Sequence, residues 1–193
     1  MRNWKSILAA LAVTAAAVVI PATPAAAYNL NGCKFSTGTL KWQDATSTSA
    51  YASAAQNAVT AWNSTSTQFN LNKVTSGANI RVANGNFGAT WNGYQFVGVT
   101  LDTSQGSGLD CSGGTWDTTM VTWWNDYYTK SYGATKRQAI MVHELGHALG
   151  LAHTNGSSCS NVAVMDTDID YWADACSFWK PRQDDINGAN ALY

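Results

Sequence analysis

The sequence predicts a single α/β or α+β domain built around a mixed β-sheet. Three observations support this fold class: an early amphipathic helical pattern, a central group of β-branched and aromatic runs, and a second long helical pattern near the end. Helix, strands, helix, loop and helix in this order are typical of a domain that packs helices against a sheet. Of the 193 residues, those that follow an N-terminal leader suit one domain with its own core.

The leader, residues 1–27, has the pattern of a secretory signal peptide. A short basic start precedes an apolar run of 14 residues, 7–20, and the small residues 25–27 offer a signal-peptidase site. We therefore expect a secreted, extracellular protein whose folded domain is residues 28–193, with an uncleaved anchor as the alternative. No later stretch is apolar and long enough to span a bilayer, so no membrane partner is expected after cleavage.

Charge excludes several classes of partner. Charged residues make up only 12% of the chain. Once Arg2 and Lys5 leave with the leader, 9 Lys and Arg remain against 12 Asp and Glu, a net charge of −3. The basic residues are scattered, which argues against nucleic acid and anionic membrane partners. No heptad pattern predicts self-association, so a monomer is expected.

The first predicted helix covers residues 50–62. Its apolar residues recur at helical spacing and would form one buried face: Ala54, Ala55, Ala58, Val59 and Trp62. Several short runs rich in β-branched and aromatic residues predict β-strands. The predicted strands are 39–42, 80–82, 94–101 and 120–124.

The second half of the chain predicts two more helices. Residues 134–149 have a helical pattern that Gly150 would end, because glycine adopts the left-handed conformation without a Cβ clash. Residues 157–180 are expected to be mostly loop. A short final helix should open at Pro181, with Asp184 and Asp185 in its first turn, where the helix dipole favours negative charge.

The four cysteines favour disulfide bonds, because their number is even and the chain is expected to be exported. Three connectivities are open. Cys159 with Cys176 closes a local loop, which leaves Cys33 with Cys111. Zinc held by cysteines is the competing interpretation, but the chain has no CxxC spacing.

Residues 143–153 contain the candidate metal-binding and catalytic side chains. His143 and His147 are four residues apart on a predicted helix, so both imidazoles face the same side and can reach one ion. Gly150 permits a turn that brings His153 back as a third ligand, and Glu144 lies beside the first ligand. The three histidines are the only ones in the chain, and Glu144 is the only glutamate.

Three histidine ligands with one open position match the demand of catalytic zinc. Zinc lowers the pKa of bound water from about 15.7 towards 7. Glu144 is the candidate general base that accepts a proton from the attacking water and passes it to the leaving amine. The alternatives are histidines with no metal role and a zinc site without catalysis, and the retained Glu144 argues against the second.

The segment 143–153 resembles the active-site helix of the metzincins, in the third-histidine form of matrixins and their bacterial relatives. Residues 161–166 resemble the Met-turn of that family. The resemblance implies that Met165 is an apolar floor beneath the ligands, and an ordinary core methionine is the alternative. Residues 183–193 and 78–82 are similar to the last helix and a central strand of matrixin domains.

This resemblance implies a zinc metalloendopeptidase, with zinc as cofactor and a protein or peptide as substrate. It implies a twisted five-stranded mixed sheet, an active-site helix and a C-terminal helix. It also implies an edge strand, within residues 94–101, that pairs with an extended substrate.

Three departures from the family pattern bear on cofactors and specificity. With no spare histidine, the second, structural zinc of many animal matrixins should be absent. A leader of 27 residues leaves no room for an inhibitory pro-domain, so latency by a cysteine switch is not expected. Asp166 and Thr167 replace the Pro and Tyr that many relatives have after the methionine, and Tyr171 lies too far along to replace that tyrosine. The wall of the S1′ pocket is therefore not defined by the sequence.

Calcium is a second candidate cofactor, because calcium binds oxygen-rich loops. Two groups of aspartates could serve, although turn formation explains them equally well. These are Asp102, Asp110 and Asp117, and Asp166, Asp168, Asp170 and Asp174.

Two other functions remain open at this point. A secreted polysaccharide-binding module could use exposed aromatic side chains such as Trp123, Trp124, Trp172 and Trp179. A toxin-like or cell-wall-directed peptidase would share the zinc chemistry and differ only in its narrow substrate range.

Overall fold

The computed structural model describes residues 28–103 and 111–193. The predicted leader and Asp110 lie outside the described residues. The strands are β1 (Asn29–Leu30), β2 (Thr39–Ala45), β3 (Asn70–Lys73), β4 (Ile80–Gly85), β5 (Gly98–Asp102), β6 (Cys111–Ser112), β7 (Thr115–Trp116), β8 (Met120–Asn125) and β9 (Leu151–Ala152). The helices are α1 (Ser49–Asn63), α2 (Asp126–Thr129), α3 (Ala134–Leu149), α4 (Ile169–Cys176) and α5 (Gln183–Leu192).

A five-stranded mixed sheet forms the centre of the fold, in the order β3-β2-β4-β8-β5. Neighbouring strands are parallel except β5, which runs antiparallel to β8. The predicted α/β class and mixed five-stranded sheet are therefore confirmed. β5 is the terminal strand, so one of its edges has no strand partner within the sheet.

The strand predictions were right in position and less accurate in extent. The predicted strands at 39–42, 80–82 and 120–124 correspond to β2, β4 and β8 and continue one to three residues further. β3 was not predicted, because its sequence Asn-Leu-Asn-Lys has one buried residue and no β-branched one.

The prediction for 94–101 was wrong in its first half. β5 begins at Gly98, and Trp91 and Tyr94 instead form an isolated antiparallel bridge. Between them Asn92 and Gly93 have φ values of 51° and 84°. Two successive residues at positive φ are typical of a type I′ turn, which reverses the chain before it enters the edge strand.

Both long predicted helices are present, and they pack against each other and the sheet. All five apolar residues predicted to form one face of α1 are buried. α3 is buried along most of its length, from Ala139 to Leu149 with the half-buried His147 as the exception. The position of α3 is therefore set by contacts on nearly all of its sides.

Three tryptophans also hold α3 through their indole nitrogens. Trp62, on α1, donates to the Val142 carbonyl at 3.0 Å. Trp124, on β8, donates to the carbonyl of Arg137, and Trp116, on β7, donates to that of Ala148, both at 2.9 Å. A carbonyl oxygen has two lone pairs, so the Arg137 and Val142 carbonyls can each accept an indole as well as a helical N–H. The Ala148 carbonyl lies in the last turn and has no helical N–H to accept.

The loop predicted for 157–180 contains a helix, so that prediction was wrong in part. α4 spans Ile169–Cys176, and the Asp168 side chain caps it by accepting from the Tyr171 N–H. Four aspartates and a short apolar pattern mask the helical signal in this stretch. The final helix, α5, has Asp184 and Asp185 in its first turn, as predicted, but it begins at Gln183, two residues after Pro181.

The favoured cysteine pairing is present in the structure. Cys33 is bonded to Cys111 and Cys159 to Cys176, so no cysteine is left to ligate a metal. Across the described residues, no helix has the length and apolar character needed to cross a bilayer.

Gly150 ends α3, as predicted, with a φ of 109°. A Cβ at this position would overlap the main-chain oxygen of Cys33 and lie 2.7 Å from Leu192 Cδ1. Both the backbone conformation and the close packing therefore require glycine here.

We expect Gly150→Ala to lower the free energy of unfolding by about 3 kcal/mol or more, because strain at positive φ adds to overpacking. Gly77→Ala is the matched control, since Gly77 has a φ of 67° and a Cβ placed there would meet no atom within 4 Å. That variant should lose only about 1–2 kcal/mol. Urea denaturation measures both, and equal losses would contradict the packing argument.

Candidate metal centre

Three histidine Nε2 atoms converge at one point beside α3. The His143 and His147 Nε2 atoms are 3.0 Å apart, and His153 Nε2 lies 3.2 Å from the first and 3.1 Å from the second. Four-coordinate zinc with Zn–N bonds of about 2.0–2.1 Å separates its ligand nitrogens by roughly 3.3–3.4 Å. The three side chains therefore fit one tetrahedral zinc and leave the fourth position for another ligand.

Hydrogen bonds to the other ring nitrogens orient two of these imidazoles. His143 Nδ1 donates to the Val164 carbonyl at 2.7 Å, and His147 Nδ1 donates to that of Leu151 at 2.9 Å. Because a carbonyl only accepts, the proton must be on Nδ1, and the Nε2 lone pair faces the centre. Main-chain carbonyls are common partners for metal-ligating histidines.

Desolvation favours the neutral form of these histidines, most strongly for the buried His143. Desolvation lowers the pKa of His143 well below its ordinary value and that of His147 to about 4. The pKa of His153 is also lowered by desolvation, with the Asp166 charge acting against the shift. Neutral imidazole is the form that binds a metal ion.

Glu144 is buried in the same cleft, with only 4% of its surface exposed. Burial raises the pKa of Glu144 to about 8, and a hydrogen bond from Thr100 opposes that rise. The Thr100 hydroxyl lies 2.9 Å from Glu144 Oε2. Thr100 and Gly98 lie in the segment 94–101 that was expected to contain a substrate-pairing strand, but their contact with Glu144 was not predicted. The sequence gives no sign of it, because 44 positions separate Thr100 from Glu144.

The cleft has a volume of about 450 Å³ and runs along the edge of β5. Residues 95–100 line it together with Thr167 and Ile169. The three histidines and Glu144 line the same cleft. An extended chain could therefore lie along β5 directly above the metal-binding side chains.

Met165 lies beneath α3. It is 1% exposed, and a Cβ on Gly146 would overlap its sulfur atom. The absence of a side chain at Gly146 therefore allows α3 to lie close to the methionine.

Asp185 holds the turn that contains Met165. Its carboxylate accepts from the backbone N–H groups of Val164 at 3.0 Å, Met165 at 3.1 Å and Arg182 at 2.7 Å. Burial raises its pKa to about 6, with these three bonds acting against the rise. The sequence indicated only a favourable charge at a helix start, since nothing local reveals the contact with residues 164–165.

The N-terminal segment supports the same centre from another side. β1 pairs antiparallel with β9. The Asn29 side chain donates to the His153 carbonyl at 2.7 Å, and the Asn31 side chain donates to that of His147 at 3.1 Å. The backbone of two candidate ligands is thus held by a segment more than 100 residues away, a role that sequence reasoning missed.

Three of the aspartates considered for calcium, Asp166, Asp170 and Asp174, have partners within the protein. Asp166 accepts from the Trp172 indole at 2.8 Å, and Lys136 pairs with Asp170 at 2.9 Å and with Asp174 at 2.6 Å. Among residues 28–103 and 111–193, the histidine trio is the one group of three or more metal-ligating side chains that converges. Calcium binding remains a prediction that these contacts do not support.

The tryptophans proposed for polysaccharide binding do not form an exposed row. Trp124 is fully buried, Trp123 and Trp172 are half-buried, and Trp179 is 38% exposed. Trp124 donates to α3 and Trp172 to Asp166. Their contacts are those of core and cleft residues, so the binding-module interpretation loses its main support.

Comparison with known proteins agrees with this geometry. The family model for matrixins matches residues 33–193, which is most of the chain. No curated protein matches.

We expect Asp185→Ala to lower the free energy of unfolding by about 2–4 kcal/mol, because it leaves three backbone N–H groups without their carboxylate partner. Asp184→Ala is the control. It removes a carboxylate from the same helical turn and none of the three bonds, so a loss within about 1 kcal/mol is expected. Chemical denaturation measures both variants, and similar losses would contradict the role given to Asp185.

The raised pKa of Glu144 predicts a pH effect in the zinc-free protein. Between pH 4.5 and about 8 the folded carboxyl keeps a proton that the unfolded chain releases. The stabilisation that comes from this difference in Glu144 protonation is therefore fully present below pH 4.5. It is lost as the pH rises through 8. The free energy of unfolding should fall with pH relative to Glu144→Gln, which does not titrate. Parallel curves from pH 4.5 to 8 would contradict this expectation.

Proposed function

Because the chain belongs to the matrixin family of zinc metalloendopeptidases, we propose that it cleaves peptide bonds with Glu144 as general base. In this proposal His143, His147 and His153 are the zinc ligands. The observation that supports it best is the convergence of three Nε2 atoms, 3.0–3.2 Å apart, in a cleft that also contains a buried carboxyl group.

Bound zinc would polarise the substrate carbonyl and lower the pKa of an attacking water molecule. Glu144 accepts the proton that this water loses and later delivers it to the nitrogen of the leaving amine. Glu144 lines the same cleft as the three histidines, so its carboxyl group is placed to make both transfers. Proton balance is complete within one turnover, because the proton that Glu144 gains is the one it gives up.

The free edge of β5 would position the substrate. An extended peptide can add to a sheet edge through main-chain hydrogen bonds, which require no particular side chain. β5 lines the cleft, so such a peptide would place a scissile carbonyl near the histidines. The substrates of the family are proteins or peptides, and Thr167 and Ile169, which also line the cleft, would contribute to the sequence preference of this chain.

Met165 is proposed as a packed support for the ligands and not as a ligand itself. Its N–H is fixed by Asp185 and its side chain lies against Gly146. A rigid apolar floor keeps the imidazoles within the narrow range of positions that a metal site tolerates.

We also propose that the protein is exported and acts as a monomer without a membrane anchor. The signal-like pattern of residues 1–27 supports export. The two disulfides support it too, because such bonds persist mainly in oxidising compartments.

The purified protein should degrade a reduced and alkylated, and therefore unfolded, protein substrate and should bind one zinc per chain. Chelation should abolish the activity and added zinc should restore it. Glu144→Gln should lower kcat by at least about 10²-fold, the usual contribution of a general base, while one zinc remains bound. Fragment analysis and elemental analysis measure the two properties.

Asp117→Asn is the matched control, since it removes an exposed carboxylate outside the cleft and should leave kcat unchanged. A Glu144→Gln enzyme as fast as wild type would refute the assigned base. A second tightly bound zinc would refute the single-site prediction. If wild type bound zinc yet cut no unfolded protein, a random peptide library would show whether the substrate range is narrow.

A further inference from the structure

The Thr100 hydroxyl makes two contacts with the same residue on another element. Its Oγ1 lies 2.8 Å from the main-chain oxygen of Glu144 and 2.9 Å from the side-chain Oε2. Thr100 is in the middle of β5, and Glu144 is in the middle of α3. One hydroxyl thus touches both the backbone and the carboxyl group of the proposed base.

A hydroxyl has one hydrogen and two lone pairs, so it cannot donate fully to both oxygens at once. When Glu144 is ionised, the stronger bond is donation from Thr100 to the charged Oε2. When Oε2 carries a proton, Glu144 donates to Thr100 Oγ1, and the Thr100 hydrogen turns to the main-chain oxygen. Rotation of the hydroxyl hydrogen about the Thr100 Cβ–Oγ1 bond allows hydrogen bonding to either form of Glu144, and no heavy atom has to move.

Gly98 confines the other side of the same carboxyl group. A Cβ at position 98 would lie 2.6 Å from Glu144 Oε1 and 2.9 Å from its Cγ. The same Cβ would lie 2.9 Å from Ile140 Cγ2, so neither neighbour leaves room for it. The missing side chain of Gly98 is therefore the space that the Glu144 side chain occupies.

We propose that Thr100 is a positioning residue that holds the Glu144 carboxyl group in one orientation, with Gly98 providing the space. This inference rests on the proposed function, in which Glu144 is the general base. Thr100 itself gains and loses no proton, because its hydroxyl only makes hydrogen bonds.

The test compares Thr100→Val, which keeps the shape and removes the hydroxyl, with Thr100→Ser, which keeps the hydroxyl. The control is Thr122→Val. Thr122 pairs with Thr100 across the two strands, is fully buried, and donates at 3.3 Å to Arg81 and not to Glu144. For each variant we would measure kcat and KM on a quenched fluorescent peptide, bound zinc, and the thermal midpoint.

We expect Thr100→Val to lower kcat by roughly tenfold to a hundredfold, the effect of one lost hydrogen bond to a charged group. KM should change less than about twofold and one zinc should remain bound. Thr100→Ser should keep kcat within about threefold of wild type, and Thr122→Val should keep it unchanged. A Thr100→Val enzyme with wild-type kcat, or a serine variant as slow as the valine variant, would overturn the proposal.

A second measurement does not depend on turnover. Glu144 is the only glutamate in the chain. Protein made with glutamate that is ¹³C-labelled at the side-chain carboxyl carbon, Cδ, therefore gives one resonance for this group. At fixed pH in the zinc-loaded protein, Thr100→Val should shift that resonance and Thr100→Ser should leave it in place. An unshifted resonance in the valine variant would overturn the proposal even if activity changed.

Two further variants keep the result interpretable. If Thr100→Val fails to fold, Thr100→Ala against Thr100→Ser makes the same comparison of a side chain without and with a hydroxyl. Glu144→Gln separates the two levels of inference. If it is inactive while Thr100→Val is normal, only the positioning role is wrong. If Glu144→Gln is active, the proposed base itself is wrong.

Discussion

The active-site geometry depends on how tightly α3 is fixed within the fold. This helix contributes two candidate zinc ligands and the proposed base, so a small displacement would move all three together. Indole donors from α1, β7 and β8 reach its carbonyls along much of its length. The Trp116 bond also satisfies one of the last four carbonyls, which have no helical partner. Apolar packing alone is non-directional, whereas these bonds set the rotation and axial position of the helix.

A second set of contacts reaches the metal centre from the C-terminal helix. Val164 is the connecting residue: its N–H donates to Asp185, and its carbonyl accepts from His143. A single residue thus links α5 to the ring orientation of a candidate ligand. The third ligand is held from the opposite end of the chain, because Asn29 donates to the His153 carbonyl. Segments near both ends of the described chain therefore fix a centre whose ligands lie within eleven consecutive positions.

The parts predicted from sequence are those with a strong local signal. Helical periodicity located α1 and α3, the need for positive φ located Gly150, and ligand spacing located the three histidines. The parts that were missed depend on distant contacts or weak patterns. β3 is polar, and α4 is short and rich in aspartate. Thr100 and Gly98 form ordinary strand sequence, and only the packing of β5 against α3 gives them a place beside Glu144. The high tryptophan content predicted a core, but no pattern showed which carbonyls the indoles would reach.

The Cys159–Cys176 disulfide has a consequence for an enzyme that digests proteins. It joins the two ends of the segment that contains Met165, Asp166 and most of α4. A single backbone cut between the two cysteines would leave both fragments covalently attached. The methionine turn would also stay anchored to α5 through Asp185. Damage by self-digestion at this wall of the cleft would thus produce a nicked molecule and not a shortened one.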